Sequence, residues 1–167
     1  VISFFKTEQK LKKRFVVAAI GFSNQAGGYE VRDDKAFKGT IAPKDISVIR
    51  GTNEQGAYNL FEGFIDFLSY LTMKGKEAQA SSIVLNSVSN IYKAVAYLRE
   101  HHISEVRAFL DNDEAGRKAL LHLREAGIEV KDMSGLYAPH KDLNEWLCAE
   151  SKSQKQVQAP HKRGRRR

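Results

Sequence analysis

From residue 57 onward, short apolar runs alternate with segments of helical period, and this alternation constrains the fold more than any other feature. The runs are residues 57–61, 82–86, 106–110 and 128–130. Between the first two, Phe64, Ile65, Phe67, Leu68 and Leu71 mark a helix ending near Lys74 and Gly75. Next comes a helix capped by Ser89 or Asn90, with Ile91, Ala94, Val95 and Leu98 as its apolar face. A third carries Leu120, Leu121 and Leu123 and stops at Gly127. Residues 142–149, with Leu143, Trp146 and Leu147, read as a last helix. Strands that alternate with helices pair in parallel through right-handed crossovers. The expectation is an α/β domain over residues 57–150, with a parallel four-stranded sheet flanked by helices.

The first 56 residues carry a different pattern. Residues 15–20 are apolar and closed by Gly21, residues 23–28 are a turn cluster, and 29–32 read as a return strand. Short strands are expected at 37–41 and 46–49, with Pro43 between them, while polar residues 6–14 read as a linker or frayed helix. This small β-rich subdomain, 1–56, bears a basic set of Arg32, Lys35, Lys38 and Lys44. The net charge of +7 has another origin. Residues 151–167 hold seven Lys or Arg and no acid, leaving 20 basic and 20 acidic residues in 1–150. That last segment has no apolar periodicity and reads as a disordered basic tail. Within it Arg163, Arg165, Arg166 and Arg167 suit nucleic-acid phosphates.

No run approaches the ~20 apolar residues of a membrane span. One cysteine, Cys148, excludes an internal disulfide and a cysteine-rich zinc site. Beside Trp146 and Leu147 it reads as a small buried residue, consistent with a cytoplasmic location. The chain opens on Val1 rather than Met, which suggests a fragment or a processed protein.

Acids stand where two of the strands end. Leu60-Phe61-Glu62-Gly63-Phe64-Ile65-Asp66 closes the first and Phe109-Leu110-Asp111-Asn112-Asp113-Glu114-Ala115-Gly116-Arg117 the third. In an open parallel sheet the carboxyl ends of strands share one edge, where ligands bind. Glu62, Asp111 and Asp113 are therefore expected to converge, and hard oxygen ligands in that number suit Mg2+ or Mn2+. Asp111 and Asp113 alternate in an extended segment and can face the same way. Asp113 also suits a helix N-cap, and the two roles are compatible. Asp66 lies one turn beyond Glu62. A third acidic segment, Lys141-Asp142-Leu143-Asn144-Glu145, follows downstream. Glu145, one residue further along a helix than Asn144, points ~100° away. The turn at residues 86–90 suits either an anion or ordinary capping. The five histidines lack metal-ligand spacing and read as surface residues, and Phe61, Phe64, Phe67 and Tyr70 read as core.

These three acidic segments, in this order, resemble the Toprim domain of bacterial primases, topoisomerases and some nucleases. Glu62-Gly63-Phe64-Ile65-Asp66 is similar to the primase form, with an aromatic after the Gly and a closing Asp. Asp111-Asn112-Asp113-Glu114-Ala115-Gly116-Arg117 is similar down to Ala-Gly-Arg, while Asn144 departs from the second Asp of the third motif. The resemblance covers residues 58–148 and, more loosely, Gly21-Phe22 and Pro43-Lys44-Asp45. It is closest to short Toprim proteins of bacterial mobile elements. It implies a Toprim fold and a Mg2+- or Mn2+-dependent primase-like nucleotidyltransferase that makes RNA primers. Glu62, Asp111 and Asp113 would be catalytic. Glu62, Asp111, Asp113 and Asp142 would hold metal, and Asp66, Lys141 and Asn144 would contribute to cofactor binding. The implied partners are single-stranded DNA, nucleotides, a replicative helicase and an upstream zinc-binding module that one cysteine cannot supply. Two alternatives stay open: a metal-dependent nuclease of the same class, and a non-catalytic nucleic-acid-binding module.

Overall fold

The computed structural model describes residues 2–8, 16–35, 37–53, 56–75 and 78–158. Two sheets organise them. The N-terminal sheet is antiparallel, in the order β1 (Ile2–Glu8), β2 (Val16–Ser23), β3 (Tyr29–Arg32), β4 (Lys38–Ile41). The second sheet comprises β5 (Ser47–Ile49), β6 (Tyr58–Phe61), β7 (Ser82–Val84), β8 (Glu105–Phe109) and β9 (Glu129–Asp132). Its strand order is β5-β7-β6-β8-β9. Strands β6 to β9 pair in parallel, and β5 runs antiparallel on the β7 edge.

Four helices, α1 (Phe64–Lys74), α2 (Ile91–Glu100), α3 (Glu114–Glu125) and α4 (Leu143–Gln158), cover this sheet. Central β6 is buried over its whole length, as a strand with both faces covered must be. Tyr58 and Leu60 pack with Ala94, Val95 and Leu98 of α2 and Leu120 and Leu123 of α3. Phe61 turns the other way, onto Phe67 and Tyr70 of α1, Leu143 of α4 and Phe109 of β8. Phe22 of β2 stacks on Phe64 with ring centroids 5.1 Å apart, so the N-terminal sheet docks into this second core. The Ser47 hydroxyl adds a bond to the Ser23 carbonyl at 2.7 Å.

The expected parallel four-stranded sheet is present, with differences at its margins. The strand near 46–49 joins it as a fifth, antiparallel member, so the acid-bearing sheet begins before residue 57. Burial of Ile46 and the Ser47 bond to β2 hold that edge in place. Lys6, Thr7 and Glu8, expected in a linker, extend β1 by pairing with β2. Helix α4 continues through Gln158, eight residues into the segment expected to be a disordered tail. Once Leu143 and Trp146 anchor the first turns against α1, each added residue gains a bond without new nucleation. Residues 159–167, which carry Arg163, Arg165, Arg166 and Arg167, lie outside the described residues. Cys148 is exposed rather than buried, because the inward face of α4 is taken by Leu143 and Trp146. No helix among the described residues is long and apolar enough to cross a membrane.

Candidate active site

Register alone places the first two acids together. Phe61 of β6 pairs with Phe109 of β8, so the residues that follow leave the sheet side by side. The Asp111 amide donates to Glu62 Oε2 at 3.3 Å. Gly63 begins α1 and Gly116 lies in the first turn of α3. The second glycine is obligatory: a Cβ there would fall 2.1 Å from the Asp111 carbonyl oxygen. Helix α3 can therefore begin tight against the Asp111 backbone only with glycine at that position.

Asp113 is extended and caps α3, its Oδ1 accepting the Gly116 amide at 3.0 Å. Asn112, between the two acids, reaches the other way. Its amide donates to the Lys141 carbonyl at 2.7 Å and its side chain to the His140 carbonyl at 2.8 Å. Buried Tyr137 adds a hydroxyl bond to the Leu110 carbonyl at 2.6 Å. These tethers bring the Lys141 ammonium 3.0 Å from Asp111 and 3.5 Å from Asp113. Asp142 then caps α4 by accepting the Glu145 amide at 2.7 Å, and Glu145 accepts the Lys141 amide at 2.8 Å. This reciprocal pair is close to a capping box, which makes Glu145 structural. Asp66 accepts the Asn144 amide at 3.1 Å, and the Asn144 side-chain oxygen accepts the Ser69 hydroxyl at 3.1 Å. Helices α1 and α4 are thus joined beside the acids.

Glu62, Asp66, Asp111, Asp142, Lys141 and Asn144 all line one cleft of about 410 Å³. Its electrostatics show a shortage of positive charge. Burial first, and then the Asp111 carboxylate, push Glu62 up to about 7. Burial and the nearby Asp142 carboxylate push Asp66 up to about 7 as well. Asp111 is raised by burial in spite of Lys141. Asp113 is held below the usual range, chiefly by the Gly116 amide. Lys141 is raised by its bond to Asp111 and stays charged.

Hard carboxylate oxygens that outnumber the cations lining this cleft are the right donors for Mg2+ or Mn2+. The expected cluster is nonetheless not pre-formed. Among the described residues no three His, Cys, Asp or Glu side chains are gathered closely enough to hold a metal as they stand. One Asp113 oxygen is engaged by its helix and the Lys141 ammonium stands against both aspartates. The donor set therefore fits a divalent cation once Lys141 moves aside.

The opposite wall comes from the N-terminal sheet: Arg32, Asp33, Phe37 and Lys38. Arg32 is half-buried, donates to the Val31 carbonyl at 2.8 Å and stands over the Phe64 ring, 5.6 Å from its centroid. Lys38 is exposed on the cleft, whereas Lys35 and Lys44 do not line it. Lys35 lies in the turn between β3 and β4, and the Lys44 carbonyl accepts from the Lys93 ammonium at 2.6 Å. Asn86 and Ser87 also line the cleft. Asn86 adopts φ 62° and donates to the Asp45 carbonyl and the Ser47 hydroxyl. Asn90 sits at the start of α2 but makes no capping bond; its side-chain Nδ2 is turned back to donate to the Leu85 carbonyl. Asn112, Tyr137 and Phe37 were not legible as site residues. Asn112 is a neutral residue between two acids, and the other two carry no local signature.

A protein-family model described as Toprim-like matches residues 59–147. No curated protein matches by sequence. Among solved structures, the primase fragment of the bacteriophage T7 primase-helicase is similar in fold, with a TM-score of 0.60 at 22% identity. That likeness covers 86% of this chain and 63% of the T7 fragment, so the chain spans under two thirds of it. T7 primase domains bound to an RNA/DNA hybrid and dTTP, with the lagging-strand polymerase, give 0.57 at 21% identity, over 84% of this chain and 75% of that one. The zinc-binding and RNA polymerase domains of Aquifex aeolicus primase give 0.54 at 20%, over 89% of this chain and 42% of that one.

Proposed function

Because this chain belongs to the Toprim-like family, whose members generally bind divalent metals such as Mg2+, we propose that it is the catalytic core of a primase-like nucleotidyltransferase. Its substrates would be nucleoside triphosphates and single-stranded DNA. The observation that carries this reading is the meeting of Glu62 and Asp111 at the carboxyl edge of β6 and β8, in a cleft walled opposite by Arg32 and Lys38. Glu62, Asp111, Asp113 and Asp142 would hold Mg2+, which when bound would neutralise the triphosphate and lower the pKa of a primer hydroxyl. Burial and the Asp111 carboxylate raise the Glu62 carboxyl to about 7 in the metal-free cleft, so a bound cation would relieve the repulsion that holds it there. Lys141, released from Asp111 and Asp113, offers its ammonium to a phosphate. Arg32 and Lys38 attract the strand by its phosphates, and the basic C-terminal residues add sequence-independent attraction. A replicative helicase fits as a partner by analogy with the T7 primase-helicase, and an upstream zinc-binding module by analogy with the Aquifex primase.

The test is ribonucleotide incorporation on a single-stranded template with Mg2+, using the 167-residue chain alone and with a zinc-binding primase module supplied. Weak incorporation alone, raised by the added module and lost in Asp111→Asn, is the expected result. Metal-dependent DNA cleavage without synthesis in either arrangement would replace this reading with a nuclease. Neither activity would leave a binding module.

A further inference from the structure

One wall of the cleft contains a side chain that neither the acids nor the core explains. Phe37 is 52% exposed, and of the large exposed apolar residues among those described it is the one that lines this cleft. It is held there firmly. Asp33 Oδ1 accepts the Phe37 amide at 2.7 Å and the Lys35 amide at 2.8 Å, and the Asp33 amide donates to the Phe37 carbonyl at 3.3 Å. The ring rests against Gly39, where a Cβ would fall 2.8 and 2.9 Å from its carbons. A closed turn and a glycine thus seat an aromatic ring in water, beside Lys38 and Arg32 and across from Lys141. Leaving that apolar surface exposed forgoes the gain of burying it.

We propose that Phe37 is a stacking platform for a nucleobase whose phosphates run toward Lys38 and Lys141. An aromatic face set among cations is the recurrent means of holding single-stranded nucleic acid or a nucleotide without reading its sequence. The base belongs to an incoming nucleotide or to an unpaired template strand. The inference rests on the nucleotidyl-transfer reading of the cleft and adds a base-binding residue to it.

The experiment compares three ligands by calorimetry with Mg2+: ATP, oligo(dT) and inorganic tripolyphosphate, which has no base. Phe37→Ala is expected to weaken ATP, oligo(dT) or both by roughly 5- to 150-fold, the usual worth of one stacked base. Tripolyphosphate binding is expected to stay as it is. The ligand that responds identifies the source of the base. Phe37→Trp is expected to retain affinity and to add tryptophan fluorescence that the same ligand quenches, read against the wild-type Trp146 background. Equal loss for tripolyphosphate, or no loss for either base-containing ligand, would overturn the proposal. If instead Phe37→Ala weakens ATP while Asp111→Asn leaves Mg2+-dependent ATP binding intact, stacking stands and the role given to the acids falls.

Discussion

Asp113 caps a helix and, in the proposed site, would also hold metal; a pair of substitutions can separate the two. Its carboxylate caps α3 through the Gly116 amide at 3.0 Å, and it faces Lys141 at 3.5 Å in the proposed metal site. Asp113→Ala removes the cap, worth ~1 kcal/mol. It also removes an ion pair whose partners are 57% and 39% exposed and which adds a few tenths of a kcal/mol, about the value of a solvated pair. A loss near ~1.5 kcal/mol lowers the melting temperature of a chain this size by roughly 3–6 °C. Asp113→Asn keeps an oxygen for Gly116 and caps as well as Asp, so it is expected to melt within ~2 °C of wild type. Both variants lose a negative ligand, and Mn2+ affinity is expected to fall in both. The sign with pH follows from the lowered Asp113 carboxyl. Its stabilisation is present above the ordinary aspartate range and is lost as pH falls through the folded-state value, so the Asp113→Ala deficit shrinks in acid. Calorimetric melting beside a Mn2+ titration reads both quantities. An Asp113→Asn protein as unstable as Asp113→Ala would refute the capping argument, and one that binds Mn2+ like wild type would remove Asp113 from the metal site.

Glu62 and Asp66 give the opposite pH dependence. Both carboxyls are raised to about 7, so without metal the folded state binds more protons than the unfolded one from the ordinary carboxylate range up to about pH 7, and stability falls across that window. Glu62→Gln and Asp66→Asn are expected to be more stable than wild type in urea at pH 8 with EDTA, with the gain gone at pH 4; an equal gain at both would refute the linkage. Gly116→Ala should cost ~1–3 kcal/mol in the same assay, because its Cβ meets the Asp111 carbonyl 2.1 Å away. A neutral result would mean that α3 is free to shift off β8. Deleting residues 159–167 removes five Lys or Arg. It should flatten the dependence of single-stranded DNA binding on log salt by up to ~0.7 per charge that contacts phosphate. An unchanged slope would make these residues bystanders.

The strands and helices that carry the acids were legible because each is short, buried and patterned. Residues 57–61 and 106–110 are each followed directly by an acid, Glu62 and Asp111, and a parallel sheet forces such strand ends onto one edge. What escaped lies in contacts between segments distant in sequence. That Phe37 would stand opposite Glu62 depends on how the N-terminal sheet docks through Phe22 on Phe64. That Lys141 would sit against Asp111 depends on Asn112 holding the segment at His140. The length of α4 escaped because helix propagation follows from anchoring by Leu143 and Trp146, not from the polar residues themselves. Arg32 read as a free phosphate ligand but is partly committed to Glu30, Val31 and Phe64.

Titration of Mn2+ into the chain, followed by loss of the free-ion EPR signal, addresses the acid site without depending on any assay of synthesis. Wild type is expected to bind Mn2+, with binding lost in Asp111→Asn and tightened in Lys141→Met, which clears the ammonium now 3.0 Å from Asp111. Equal Mn2+ binding by wild type and Asp111→Asn would contradict the assignment of this cleft as a divalent-cation site.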